Sequence, residues 1–584
     1  MQQQSVPMFT VDELLRKYYP QITSKPWLNK TTGVFLRYLL KENEMNAFAE
    51  HYPHLQGLDF VEQVLEYFHF SYSVRDSEKE HIPPQGKVVI IANHPLGTLD
   101  GLALIKLISS VRKDIKIVTN EMMTAFKPLH PLLLPLNKPK RKRGWADRGA
   151  VETGSLDDIQ NHLHNEGALI IFPAGEVSRL KPQGIRDSRW HNSFLRAASE
   201  AKAPILPIFI DGKNSPLFYT ISMLYKPLAT LLLVREMFKQ RTKHLPVRIG
   251  ELIGYDSYSQ TNISSDQKVK LFKKHLYRVG NNKPVIFNTQ KAIAQPENTQ
   301  ELVQAIKQCE KLGSTGDGKD IYLYQYQGSS PILREIGRLR EVAFRAVGEG
   351  TNRRRDIDQY DNDYYHLILW DNNDLEIVGA YRFGDAKKLH KKREDCKDKG
   401  GLYSATLFNY HPTMQPYFEQ GLELGRSFVQ PKYWGKRSLD YLWYGIGAFL
   451  RSRPQYRYLF GPVSLSDSLP DTAKDLIVCF YQQYFSHKQV LAESNHPYRL
   501  PTELKNTFSG DNYREDFATL KHLLSNIGAT VPTLYKQYTE VCEPGGVHFL
   551  SFGVDPDFNY CIDGLVLADL SMLKAKKRQR YIPD

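Results

Sequence analysis

A histidine and an aspartate six positions apart, His94 and Asp100, are the first residues of this chain whose types and spacing fit a reaction. An imidazole beside a carboxylate takes a proton from an alcohol and turns it into a nucleophile, with the carboxylate orienting the ring. The turn that carries them, Asn93-His94-Pro95-Leu96-Gly97, follows the β-branched run Val88 to Ile91, which reads as a short buried strand. From Gly101 the apolar spacing (Leu102, Leu104, Ile105, Leu107, Ile108) is helical. Downstream, Ala168-Leu-Ile-Ile-Phe-Pro-Ala-Gly-Glu-Val-Ser-Arg179 is a second strand ending in a polar turn. In open α/β sheets such turns gather at one edge and form active sites. A lone histidine after a strand is more often structural; a second turn of the same kind in one domain weighs toward function.

A second group lies further on: Arg340 and Phe344, the loop Asp356-Ile-Asp-Gln-Tyr-Asp361, the segment Gly379-Ala-Tyr-Arg382, and Glu423-Leu-Gly-Arg-Ser-Phe428. Asp358 and Asp361 form an acidic pair able to hold a cationic amine, and Glu423 can accept that amine's proton. In a regular strand Arg426 would face away from Glu423 unless Gly425 marks a bulge. Taken singly, each of these is an ordinary surface charge worth little to stability.

The elements that must position both groups follow from periodicity. Residues 1–80 read as a helical N-terminal cap, and residues 81–290 alternate strand and helix as an α/β domain. Residues 291–320, ending in Gly313-Ser-Thr-Gly-Asp-Gly318, read as the linker. Residues 321–584 read as α+β, a mostly antiparallel sheet flanked by helices. At 584 residues the chain exceeds one ordinary domain, and 41% hydrophobic residues suffice for full cores. A net charge of +13 suits nucleic acid, anionic lipid or an acidic protein. The five cysteines are scattered and lack CxxC spacing, which argues against a disulfide framework or a zinc site and for a reducing compartment. No secretion signal and no uninterrupted membrane-spanning stretch is visible; Leu217 to Leu233 is the most apolar segment.

Residues 85–255 resemble the lysophospholipid acyltransferase superfamily. Its first motif, Asn-His, four residues, Asp, is matched by Asn93, His94 and Asp100 with five intervening residues, the extra one absorbed by a bulge at Gly97. Its Phe-Pro-Glu-Gly-Thr-Arg-Ser motif is matched by Phe172 to Ser178, and a later apolar strand by Ala203 to Ile208. The resemblance implies a glycerolphosphate-acyltransferase-like α/β fold, acyl transfer from a thioester to a hydroxyl, His94 and Asp100 as catalytic, and Asn93, Gly175, Glu176, Ser178 and Arg179 at the substrate. Ala174 and Val177 stand where the family carries Glu and Arg, which suggests an acceptor without a glycerol phosphate.

Residues 330–470 resemble the acyl-homoserine-lactone synthases and ornithine N-acyltransferases, both of the GNAT fold. There the resemblance implies Glu423 as proton acceptor, Asp358 and Asp361 placing the amino acid, and Arg382 and Arg426 at the acyl donor or the substrate carboxylate. Pro431-Lys-Tyr-Trp-Gly-Lys-Arg437 occupies the phosphate-loop position, with Lys432, Lys436 and Arg437 suited to a phosphopantetheine phosphate and an acidic carrier protein. The whole chain resembles the bifunctional ornithine lipid synthases. That implies N-acylation of ornithine by a 3-hydroxyacyl group from acyl carrier protein, then O-acylation of the lyso-ornithine lipid. Acyl carrier protein thioester is the donor, with no bound cofactor, metal or nucleic acid. The expected location is cytoplasmic, peripheral on the inner face of a bacterial inner membrane, with the basic runs Lys138–Arg143 and Lys574–Arg580 on anionic headgroups. Glycine or lysine as the amino acid, an acyl-homoserine-lactone product, and a haemolysin-like membrane-active protein remain alternatives.

Overall fold

The computed structural model describes residues 10–12, 26–120, 123, 126–136, 153–224, 226–259, 263–395, 401–466, 469–556, 558 and 560–582. The chain divides into two compact units, Met1–Ala292 and Ile293–Asp584.

The first unit contains strands β1 (Ser71–Ser73), β2 (Val88–Ala92), β3 (Ile115–Asn120), β4 (Leu133–Leu136), β5 (Ala168–Ile171), β6 (Arg179–Lys181), β7 (Gly184–Arg186), β8 (Ile205–Ile210) and β9 (His244–Ile249). Seven of them form one sheet in the order β1-β9-β8-β2-β5-β3-β4, with β6 and β7 a separate hairpin. From β8 through β4 neighbours run parallel; β9 is antiparallel to β8. A central parallel strand is covered on both faces, which is why Val88 to Ala92 is an unbroken apolar run. Val88, Ile90 and Ala92 face one core with Leu102 and Ile105 of the helix Thr98–Ser109. Val89 and Ile91 face the other, with Phe194 and Leu195 of Ser193–Glu200 and Phe272 and Leu276 of Ser265–Gly280.

The helix Gly57–Tyr67 is more than a cap. Its Phe60, Val61, Val64 and Leu65 belong to the same core as Leu102, and β1 joins the sheet beside β9. The stretch expected as a linker also differs. Residues 291–320 carry a helix, Thr299–Ile306, and a strand, β10 (Glu310–Ser314), that pairs with β11 (Lys319–Gln325). Thr315 to Gly318 is the hairpin turn between them. Glycine, serine and aspartate serve linkers and tight turns alike, so composition alone does not separate the two.

The second unit continues with β12 (Tyr365–Asp371), β13 (Glu376–Asp385), β14 (Phe408–Tyr410), β15 (Gly421–Val429), β16 (Tyr458–Leu465), β17 (Ala492–Ser494), β18 (Val547–Asp555) and β19 (Cys561–Asp569). Its main sheet runs β10-β11-β12-β13-β15-β16-β19-β18, antiparallel throughout except for β15 beside β16. One face packs on the helix Pro331–Ala346 through Ile332, Ile336 and Leu339 against Ile368, Trp370 and Ala380. The other packs on Ser438–Arg451 through Leu442, Ile446 and Phe449 against Leu367, Leu369 and Phe383. The parallel pair holds only over Gly421–Glu423 and Tyr458–Phe460; β15 then stays with β13 while β16 stays with β19. An apolar cleft opens where they part, lined by Leu424, Trp443, Leu459, Pro462, Tyr538 and Val566.

Candidate functional sites

In the first unit the ends of β2 and β5 bring the two polar turns together. The Ser178 N–H donates to the His94 carbonyl at 2.7 Å. Gly97 takes φ 104°, a backbone conformation that glycine adopts at low cost, and in that bend the residue beyond the four-residue spacing is accommodated. His94 Nδ1 lies 3.0 Å from Asp100 Oδ1, with Asp100 fully buried. The carboxylate is fixed by backbone N–H donors, Leu96 (2.8 Å) and Gly97 (3.3 Å) on Oδ2 and Gly101 (2.8 Å) on Oδ1. The imidazole stacks on Phe172 with 4.1 Å between centroids, and its side chain stays 20% exposed. Burial works against its protonation, but the Asp100 carboxylate, helped by Asp187, outweighs it and raises the pKa above the ordinary histidine value. The arrangement is that of an oriented base open to a substrate on one side.

The other sequence-derived positions have less freedom. Asn93 bonds the β8 backbone at both ends of its amide, from Nδ2 to the Ile210 carbonyl and from the Ile210 N–H to Oδ1, each 2.8 Å; it ties β2 to β8 rather than facing a substrate. Ser178 Oγ donates to Asp187 Oδ1 at 2.5 Å. Glu176 accepts from Ser188 and lies 3.5 Å from Arg179, which donates to Ser222 and stands over the Phe218 ring. Gly175 supplies the left-handed bend of the turn, φ 61°. Ala174 and Val177 are buried in the packing on either side of it. The sequence reading missed Asp187: a lone aspartate after a hairpin carries no motif.

In the second unit the acidic loop meets a set of arginines. Asp361, fully buried, accepts from Arg340 Nη1 (2.7 Å) and Arg382 Nη1 (3.0 Å). Asp358 accepts from the same Arg382 nitrogen at 2.7 Å and lies 3.6 Å from Arg426. Asp356 lies 3.7 Å from Arg426. Burial opposes charge on Asp361, but Arg340 and Arg382 overcome it and hold the carboxyl far below the usual range. The acidic pair expected to hold an amine thus meets guanidinium groups, Asp361 with Arg340 and Arg382 and Asp358 Oδ1 with Arg382, while among the described residues Asp358 Oδ2 has no hydrogen-bond partner. His366, driven down to about 4 by burial, is neutral; its Nε2 donates to the Asp361 carbonyl, leaving Nδ1 to accept from Arg340.

Arg426 reaches this network because β15 bulges. Gly425 pairs with Arg382 and Phe428 with Ala380, so Arg426 and Ser427 stand opposite Tyr381 alone. The left-handed residue is Arg426 itself, φ 52°, not Gly425, at a cost of about 1–2 kcal/mol. Arg382 and Arg426 both lie over the Tyr403 ring, at 5.1 and 5.0 Å. Among the described residues, Arg382 Nε and Nη2 and Arg426 Nε are buried without a hydrogen-bond partner.

Glu423 is buried, and burial raises its pKa against the opposing pull of its donors and Arg382. Oε1 accepts from the Ser404 N–H at 2.5 Å; Oε2 accepts from the Tyr403 N–H at 3.1 Å and from the Tyr364 hydroxyl. The expectation that Glu423 takes the amine's proton directly or through water thus meets a carboxylate whose two oxygens already accept from Ser404, Tyr403 and Tyr364. Of the phosphate-loop cations, Lys432 pairs with Glu376 and Asp374, and Arg437 lies 3.4 Å from Asp440. Lys436 lies over the Tyr433 ring. The basic run 138–143 lies outside the described residues.

Two further acids escaped the sequence reading. Burial, with Asp563 nearby, pushes Glu349 up to about 7, and burial with Asp555 nearby pushes Asp563 up to about 7. Asp563 Oδ1 accepts from Ser464 Oγ at 2.7 Å. Because the folded value exceeds the unfolded 3.8, its contribution to stability is complete below pH 4 and is lost as pH rises through 7. Asp563→Asn retains an acceptor for Ser464. It is expected to stabilise the second unit at pH 8 by up to about 4 kcal/mol and to change little at pH 4. Thermal melts at the two pH values check this.

Residues 5–284 match the family described as Acyltransferase, and residues 339–444 match the Acetyltransferase (GNAT) domain. The two matches define the class: an acyltransferase enzyme whose chain carries both domain types. A glycine N(alpha)-acyltransferase of Phocaeicola vulgatus is 35% identical over 235 residues, 38% of this chain and 71% of that protein. A lyso-glycine lipid O-acyltransferase of Bacteroides thetaiotaomicron is 29% identical over 268 residues, 45% of this chain and 94% of that protein. An L-ornithine N(alpha)-acyltransferase of Rhizobium meliloti is 32% identical over 123 residues, 19% of this chain and 37% of that protein. The chain belongs to the family of amino-acid N(alpha)-acyltransferases that includes the Phocaeicola vulgatus enzyme.

Proposed function

We propose that the chain makes a diacylated amino acid lipid in two steps, N-acylation in the second unit followed by O-acylation in the first. The observation that carries the reading is the oriented His94–Asp100 pair, 3.0 Å apart, in a chain that also holds a GNAT domain.

In the first step the α-amine of the amino acid attacks the thioester carbonyl of a 3-hydroxyacyl group on acyl carrier protein. The C–N bond forms, the C–S bond breaks and the thiol leaves with a proton. The unpartnered N–H groups of Arg382 and Arg426 take the α-carboxylate. Asp356, Asp358 and Asp361 fix those arginines, and Glu423 receives the amine proton through the Tyr364 hydroxyl. The cleft between β15 and β16 suits an acyl chain. In the second step the 3-hydroxyl of the N-acylated product attacks a second acyl thioester. His94 takes the hydroxyl proton as the C–O bond forms and returns it to the departing sulfur. The raised pKa of His94 serves both directions.

Ornithine is the proposed amino acid; its second ammonium suits the acids Glu349 and Asp563. Glycine is the second reading, favoured by the larger share of the glycine-named relatives that is matched. Among the described residues no helix is long and apolar enough to cross a membrane. Val34, Phe35 and Tyr38 on one helix and Leu217, Met223 and Leu224 on another are exposed, which supports work at a lipid surface. The test is incubation of the purified chain with 3-hydroxyacyl carrier protein and ornithine, glycine or lysine in turn, with products read by mass spectrometry. N-acyl-ornithine is the expected product. N-acyl-glycine alone would replace ornithine by glycine, and no N-acylated amino acid at all would overturn the reading.

A further inference from the structure

Behind the His94 turn lies a buried carboxylate that the reaction scheme does not use. Asp187 is fully buried between the β6–β7 hairpin and the helix Ser193–Glu200. Its Oδ1 accepts from Ser178 Oγ at 2.5 Å and from the His94 N–H at 3.3 Å; Oδ2 accepts from Trp190 Nε1 at 2.8 Å. Its own N–H donates to Tyr277 Oη at 2.8 Å, and its carbonyl accepts from Lys181 (2.6 Å) and Lys273 (2.9 Å). One residue thus joins the first turn, the second turn, the hairpin and the helix Ser265–Gly280. A buried carboxylate without a cation on its oxygens is costly, and it is kept where its hydrogen bonds hold something in place.

Resting on the reading of His94 as the base of O-acyl transfer, we propose that Asp187 is a positioning residue for that step. It clamps the Phe172–Arg179 turn to the His94 turn and places its charge behind the imidazole. Asp187 accepts from both turns, and the direct backbone bond from Ser178 to His94 lies beside this clamp. The charged and titratable groups that face the pair from the packed elements are Asp100 at the ring, Tyr277 at the Asp187 N–H, and Lys181 and Lys273 at the Asp187 carbonyl. The carboxylate charge of Asp187 favours protonated His94.

The test uses the full chain with a synthetic N-(3-hydroxyacyl) amino acid and acyl carrier protein thioester, following O-acyl transfer against pH. Asp187→Asn keeps the size and removes the charge. Its kcat/KM is expected to fall about 10²-fold, the cost of a displaced catalytic group. Its acid limb should move to lower pH, because His94 then loses its proton more readily. Ser178→Ala cuts the clamp and keeps the charge, so its rate should fall while its acid limb does not move down. N-acylation by the same protein preparation reports that the rest of the chain is folded, and Ser178→Ala carries the test if Asp187→Asn does not fold. An Asp187→Asn enzyme with the wild-type rate and an unmoved limb would overturn the proposal, as would a Ser178→Ala enzyme with the wild-type rate. If His94→Ala also retains O-acylation, the reading of the site fails; if His94→Ala is inactive while Asp187→Asn is normal, only the positioning role fails.

Discussion

Replacing His94 by Ala is expected to lower O-acylation of a supplied lyso-lipid by about 10²–10⁴-fold while N-acylation continues at the wild-type rate. The imidazole at the meeting of the two turns is both oriented by a carboxylate and open on one side. Its loss leaves Asp100 held by three backbone N–H groups, so the turn keeps its shape. Kinetics with purified protein, measuring the two transfers separately, checks the split. A parallel loss of both activities would mean that the two chemistries are not divided as proposed.

Replacing Arg382 by Met is expected to be the most damaging change in the second unit. Arg382 is almost fully buried and its Nη1 serves both Asp358 and Asp361. Its removal leaves Arg340 as the one remaining guanidinium bonded to Asp361 and leaves Asp358 with Arg426 at 3.6 Å. Breaking a buried pair from one side costs about 3–5 kcal/mol, because the partner charge stays buried. N-acylation should vanish, both through that destabilisation and through loss of the contact proposed for the substrate carboxylate. Arg382→Lys keeps the charge but not the fork, and should recover stability more than activity. Thermal melting and N-acylation on the two variants measure the two effects; equal recovery of both would argue against a carboxylate contact.

The fold was legible where periodicity was strong. The strand read at Val88 to Ile91 is the observed β2, one residue longer, and the helical spacing read from Gly101 lies within the observed helix Thr98–Ser109. Both sheets bury alternate residues of their strands in opposite cores, and that pattern is written in residue order. The linker was misread because its glycine-rich turn closes a hairpin whose partner strand, Glu310–Ser314, is mostly polar and lies at the sheet edge. At the sites, residue types were legible and their partners were not. Asp358 and Asp361 read as free acids because the arginines that neutralise them come from 21 or more positions away in sequence. Glu423 likewise read as open because its donors, Tyr403 and Ser404 in the segment before β15 and Tyr364 ahead of β12, meet it only in the folded chain. Asp187 offered no motif, since its importance lies in joining four elements that are distant along the chain.

Expression in a bacterium that makes no amino acid lipids, followed by lipid mass spectrometry, tests the two-step account most directly. The wild-type chain should give a diacylated amino acid lipid, and His94→Ala should give the monoacylated 3-hydroxyacyl form in its place. Diacylated lipid from His94→Ala cells, or no amino acid lipid from the wild type, would contradict it.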